Sequence, residues 1–185
     1  MVRNADPASF GDSSKWYWLG FALLSLGLFW SFSLERFFCA DGVLYYTLIL
    51  EEGRFTDFAW SRNHAVFLTQ WPLVLGVRAG LRDLDWLEFL FAAGLYLPYL
   101  LSFLCGAIAC RGGHHHLLIL PLACIVVIHY ASDANLVGEH HVLTLLTWPI
   151  LFFSLRPSPL RGMDLALLFV LLAAYLRLYE SAVVT

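Results

Sequence analysis

The sequence predicts an all-α fold: a polytopic transmembrane helix bundle of about five spans, with surface-lying helices in its first outer loop. Two compositional observations and one pattern point there. The chain has 185 residues, 60% of them hydrophobic and only 14% charged. Soluble domains run nearer 45–50% apolar and about 25% charged. The apolar residues also come in long blocks, and a bilayer core about 30 Å thick needs roughly 20 of them per helix.

The first fifteen residues, Met1 to Lys15, are polar and are expected to form a cytoplasmic tail ahead of a transmembrane domain over 16–185. The first span is expected over Trp16–Leu34. Trp16, Tyr17 and Trp18 open it like a headgroup-level aromatic belt, and Glu35 and Arg36 close it. It reads as a retained span, not a cleaved leader.

The outer loop, residues 35–85, mixes charge with short apolar runs. Val43–Leu50 has eight residues, which makes about 12 Å of helix, too short to cross. Asp41 stands where an N-cap would, and Gly53 where a helix would stop. Ala65–Gly80 contains Gln70, Pro72 and Arg78, costly groups for a lipid-exposed crossing. Both stretches are therefore expected to lie at the membrane surface or to pack against the bundle.

Four further spans follow, over Trp86–Cys110, Leu117–Tyr130, Val142–Leu155 and Met163–Leu176. With Ala65–Gly80 not crossing, Arg3, Lys15, Arg111, Arg156 and Arg161 share one side, and the Ser132–His141 loop on the other has no Lys or Arg. That arrangement obeys the positive-inside rule with the N-terminus cytoplasmic. Net charge is −3, which gives no basis for nucleic-acid binding. The four cysteines form no C-x-x-C pair, so neither a disulfide framework nor a zinc site is expected.

This topology gathers ionisable residues on the outer face. Glu35, Arg36, Asp41, Glu51, Glu52, Arg54, Asp57, Arg62 and His64 come from the first loop, and Asp133, Glu139, His140 and His141 from the second. The last span ends with Arg177 and Glu180. A carboxylate there can accept a proton from a hydroxyl or hold a divalent metal. An arginine can hold a phosphate bidentately. The same charges also serve as a hydrated loop. Asp41 fits two roles, helix cap and general base. Arg62 and His64 flank Asn63 and face either a phosphate or water. Asp133 and His140 are metal-ligand candidates, although adjacent histidines diverge on a helix and make no i, i+4 pair. Arg177 and Glu180 can pair on one helix face or snorkel to the interface. His114–His116 read as a solvated turn on the opposite side.

The order D-G-V-L-Y-Y (Asp41–Tyr46), E-E-G-R-F, N-H-A-V-F-L-T-Q-W-P-L-V-L-G (Asn63–Gly76) and S-D-A-N-L-V-G-E-H-H before the next span resembles the N-terminal half of the GT-C membrane glycosyltransferases. That superfamily includes protein O-mannosyltransferases and lipid A aminoarabinose transferases. The resemblance covers roughly Trp16 to Leu155. It implies a polyprenyl-phosphate-linked sugar as donor, transfer on the extracytoplasmic face and a bacterial inner-membrane location. It implies Asp41 as catalytic base, Glu139 or Asp133 as the assisting acid with a divalent metal as an open option, and Arg62, His64 and Arg177 around the donor phosphate. Family members have more spans, so it also implies a larger membrane partner or a missing C-terminal portion. The non-enzymatic alternative is a membrane subunit for assembly or lipid binding.

Overall fold

The computed structural model describes residues 10–38, 41–56, 63–110, 115–126, 139–156 and 159–183. Among the described residues the chain is all helix, with no strand. It forms α1 (Phe10–Ser33), α2 (Asp41–Glu52), α3 (Asn63–Arg78), α4 (Leu84–Ala109), α5 (Ile119–Cys124), α6 (Glu139–Leu155) and α7 (Met163–Val183). Two 3-10 turns, Arg36–Phe38 and His115–Leu118, complete the order.

One described helix, α4, is long and apolar enough to cross a membrane; Tyr17–Ser33 and Val142–Leu155 are apolar but shorter. Helix α1 begins at Phe10, so the expected polar tail is already helical over its last residues. Of the expected span Leu117–Tyr130, the described part is a 3-10 turn and the six-residue α5; residues 127–130 lie outside the described ones.

Helix α4 is the hub. Its start is set by Asp83, whose carboxylate accepts from the backbone N–H of Asp85 at 3.0 Å and of Trp86 at 3.3 Å. Helix α1 runs antiparallel to it: Tyr17 stacks 6.0 Å from Phe103 at one end, and Phe32 meets Phe89 edge-on at 6.3 Å at the other. Helix α6 runs parallel to α4, with Ser102 bonded to Leu145 and Gly106 against Phe152. Helix α7 folds back along α6, and Arg156 donates to Asp164 at 3.0 Å across the turn between them.

Of the two places expected for Ala65–Gly80, helix α3 takes the one packed against the bundle. It runs lengthwise and antiparallel along α4, with Gly76 beside Leu87 and Leu90, and Thr69 and Pro72 beside Gly94. Gly94 permits this approach, because a Cβ there would overlap the Thr69 carbonyl. Two of the polar groups that argued for a surface position have partners within the chain, Gln70 inside the fold and Arg78 at its surface. Gln70 is fully buried, takes the Thr56 backbone N–H on Oε1 at 3.2 Å and donates from Nε2 to the Thr56 hydroxyl at 2.8 Å. Arg78 donates to the Gly53 carbonyl at 2.9 Å, at the end of α2.

Proline lies inside α3, α4 and α6, at Pro72, Pro98 and Pro149. Each removes one N–H and leaves the carbonyl four residues earlier without its helical donor. For Pro149 that carbonyl is Leu145, and the buried Ser102 hydroxyl donates to it across the α4–α6 contact.

Much apolar surface faces outward. Leu26, Phe29 and Trp30 of α1 are each about two-thirds exposed (65%, 69% and 65%), and Phe169 of α7 reaches 74%.

Candidate functional site

Two clusters form along α4. The first sits on its opening turns. Phe37, Phe38 and Tyr46 surround Phe91 at centroid distances of 6.2, 6.3 and 5.5 Å. Helix α2 is therefore held against the first half of α4, and Asp41 is its first residue. Gly42 is required here because a Cβ would overlap the Phe37 carbonyl. The Tyr46 hydroxyl is buried with no hydrogen-bond partner among the described residues. Burial, then the nearby Glu88 and Asp85 carboxylates, push its pKa above the ordinary 10.0.

The second cluster sits near the middle of α4. Leu178 of α7 and Val142 of α6 pack together, with Leu68 of α3 against them. Each lies one turn or less from a predicted site position. His64 is four residues before Leu68, Glu139 three before Val142, and Arg177 next to Leu178. The start of α3, the start of α6 and the end of α7 thus meet at one place. Both helix N-termini carry partial positive charge from the helix dipole.

Below this meeting point runs a groove of about 350 Å³ between α3, α4, α6 and α7. Leu68 and Trp71, Leu97 to Cys105, Val142 to Leu146 and Leu167 to Ala174 supply its walls, nearly all apolar.

The backbone positions of His64, Glu139, His140 and Arg177 all lie within about a turn of the Leu68–Val142–Leu178 contact, His64 on its Cys105 side and Glu139 on its Leu97 side, because α3 runs antiparallel and α6 parallel to α4. Arg177 is exposed there, and the side chains of the other three lie outside the described ones. Asp41 belongs to the first cluster: Phe91, where α2 packs, and Pro98, at the groove, are seven residues apart, about 10 Å along α4. Arg62 and Asp133 lie outside the described residues, and among those described no three His, Cys, Asp or Glu gather to hold a metal ion. The sequence reading missed the groove and Ser102. Its available signal was the proline in α6, which announces an orphaned carbonyl at Leu145.

The chain matches no family model, no curated protein and no solved structure.

Proposed function

We propose that the chain is a membrane-embedded helix bundle of the GT-C glycosyltransferase kind, or the N-terminal part of one, transferring a sugar from a polyprenyl-phosphate donor on the extracytoplasmic face. Its outward apolar faces on α1 and α7 suit lipid as their solvent. The observation that supports the catalytic reading is that the ends of α3, α6 and α7 carrying His64, Glu139 and Arg177 meet beside an apolar groove. Arg177 and His64 hold the donor phosphate. The acceptor hydroxyl attacks the anomeric carbon, a new C–O bond forms, and the bond to the lipid phosphate breaks. A carboxylate takes the hydroxyl proton. We assign this role to Glu139 at the start of α6, with Asp41 at the start of α2 as the alternative base.

The test compares Glu139→Gln and Asp41→Asn in consumption of lipid-linked sugar by membranes holding the full gene product. Glu139→Gln is expected to lower turnover about 10²–10⁴-fold, the usual worth of a general base. Wild-type turnover in Glu139→Gln at normal expression rejects the assignment. A second reading, a non-enzymatic subunit for assembly or lipid binding, is favoured by the separation of Asp41 from the groove end. It predicts that both variants behave as wild type and that a larger membrane protein co-purifies.

A further inference from the structure

The end of α2 and the end of α3 sit together. Arg78 donates to the Gly53 carbonyl at 2.9 Å, and Gly53 lies beside Val77. Helix α1 ends at the same level, with Phe32 against Phe89 near the start of α4. Between its two joined ends the chain goes down α4 and comes back. On the way in, residues 53–56 are non-helical, Phe55 meets Phe67 at 5.4 Å and Thr56 meets Gln70. On the way out, α3 climbs antiparallel to α4, past Gly94 at Thr69 and past Leu90 and Leu87 at Gly76. The left-handed glycines Gly53 (φ +62°) and Gly80 (φ +82°) turn the chain at the two ends.

Depth follows from the helical rise. Glu88 is the last charged residue of α4. Thr69 is level with Gly94, six residues or about 9 Å beyond Glu88. Asn63, the start of α3, is six residues further, about 18 Å beyond Glu88. A bilayer core of about 30 Å has its midplane at about 15 Å. The outward side of α3 matches that depth. Phe67, Trp71 and Leu75, four residues apart, form an exposed apolar stripe, while the polar Gln70 faces inward and is fully buried. A helix lying in the interface shows the reverse, a strongly polar face toward water.

Resting on the membrane-embedded reading of the bundle, we propose that residues 53–56 and α3 are the two arms of a re-entrant hairpin. It enters the lipid on the face where α4 begins, reaches about the midplane and returns to the same face. Non-helical backbone at that depth survives only where the protein supplies its hydrogen-bond partners. Gln70 supplies them: its Oε1 accepts from the Thr56 backbone N–H at 3.2 Å, and its Nε2 donates to the Thr56 hydroxyl at 2.8 Å. Gln70 is thus the residue that positions the entering arm against α3.

The test uses the full chain in phosphatidylcholine vesicles, with the native cysteines replaced by alanine and single cysteines introduced. Nitroxide labels at Leu75, Trp71 and Phe67 are read for depth from their oxygen and nickel-chelate accessibilities, with Leu101 of α4 as the reference inside the lipid. Depth is expected to increase by about 6 Å per step, so that Phe67 lies about 12 Å deeper than Leu75. Equal depths at all three overturn the hairpin in favour of a surface helix. Cysteines at Arg54 and Arg82 are expected to react with a membrane-impermeant maleimide from one and the same side; reaction from opposite sides overturns the hairpin in favour of a crossing. Gln70→Leu is expected to raise maleimide labelling of Phe55→Cys at least fivefold, and unchanged labelling removes Gln70 as the anchor. If that variant does not fold, the depth profile with Gln70 intact still decides. A water-exposed label at Leu101 overturns the membrane reading itself, whereas a lipid-exposed Leu101 with a flat α3 profile sinks the hairpin alone.

Discussion

Helix α4 meets a proline-containing helix on each of two sides, and the two contacts are built in opposite ways. Against α3, Pro72 lies on Gly94 and the backbones close until no Cβ fits between them. Against α6, Ser102 reaches across to the carbonyl that Pro149 orphans. The first contact solves its packing with a missing side chain, the second with a hydroxyl that holds the helices at side-chain distance. Ser102 lines the apolar groove between α3, α4, α6 and α7. The closed contact carries the buried Thr56–Gln70 network, so it fixes the frame; the open one borders the site.

The largest effect tests the closed side. Gly94→Val places a side chain on the Thr69 carbonyl and forces α3 away from α4. Overpacking of this kind costs about 3 kcal/mol. Thermal unfolding in detergent should show the loss, and an unchanged midpoint would mean that the α3–α4 approach is not as drawn.

The next effect tests the open side. Ser102→Ala strands the Leu145 carbonyl and is expected to cost about 1–3 kcal/mol. Pro149→Ala restores the helical N–H that Leu145 lacks. The double variant should then be more stable than Ser102→Ala alone, with a coupling of about 1 kcal/mol in a double-mutant cycle. Additive losses would show that the hydroxyl does not replace the missing donor.

A third prediction concerns the paired aromatics beside the closed contact. Tyr46 is buried with no partner for its hydroxyl among the described residues, and its pKa is raised. A raised pKa in the folded state means stability is complete below the unfolded value near 10 and falls as pH rises through it. Tyr46→Phe should stabilise by about 1 kcal/mol, because no unsatisfied hydroxyl remains buried. It should also remove the alkaline loss, as measured by unfolding midpoints between pH 8 and 11. A midpoint lowered by the substitution at neutral pH would instead assign the hydroxyl a partner.

The same contrast explains what could be read from the sequence. Apolar blocks place α1, α4, α6 and α7 correctly, because burial of whole turns leaves a long signal. The ends carrying His64, Glu139 and Arg177 were legible as charges beside those blocks. The course of α3 was not. Gln70 and Arg78 look costly when their partners are unknown, and those partners, Thr56 and Gly53, come from a separate turn of chain. Nor was the separation of Asp41 from Glu139, which depends on where α2 packs through Phe38 and Tyr46. A groove has no sequence signature at all, since its walls are the same leucines that elsewhere fill the core.

The smallest expected effect lies where α1 hands over to the closed half. Glu35 sits at φ +52°, just beyond the last turn of α1, and its N–H bonds the Phe32 carbonyl at 2.9 Å. This left-handed position is the one that glycine fills at many helix ends, since a Cβ is strained there. Glu35→Gly trades that strain against a more flexible unfolded chain, and the balance is expected to favour the variant by about 0.5 kcal/mol. The sequence reading gives Glu35 a different meaning, a charge marking the membrane boundary. The two meanings separate in one measurement: if conformation governs, Glu35→Gly raises the unfolding midpoint while Glu35→Gln leaves it unchanged. If the charge governs, both substitutions shift it in the same direction.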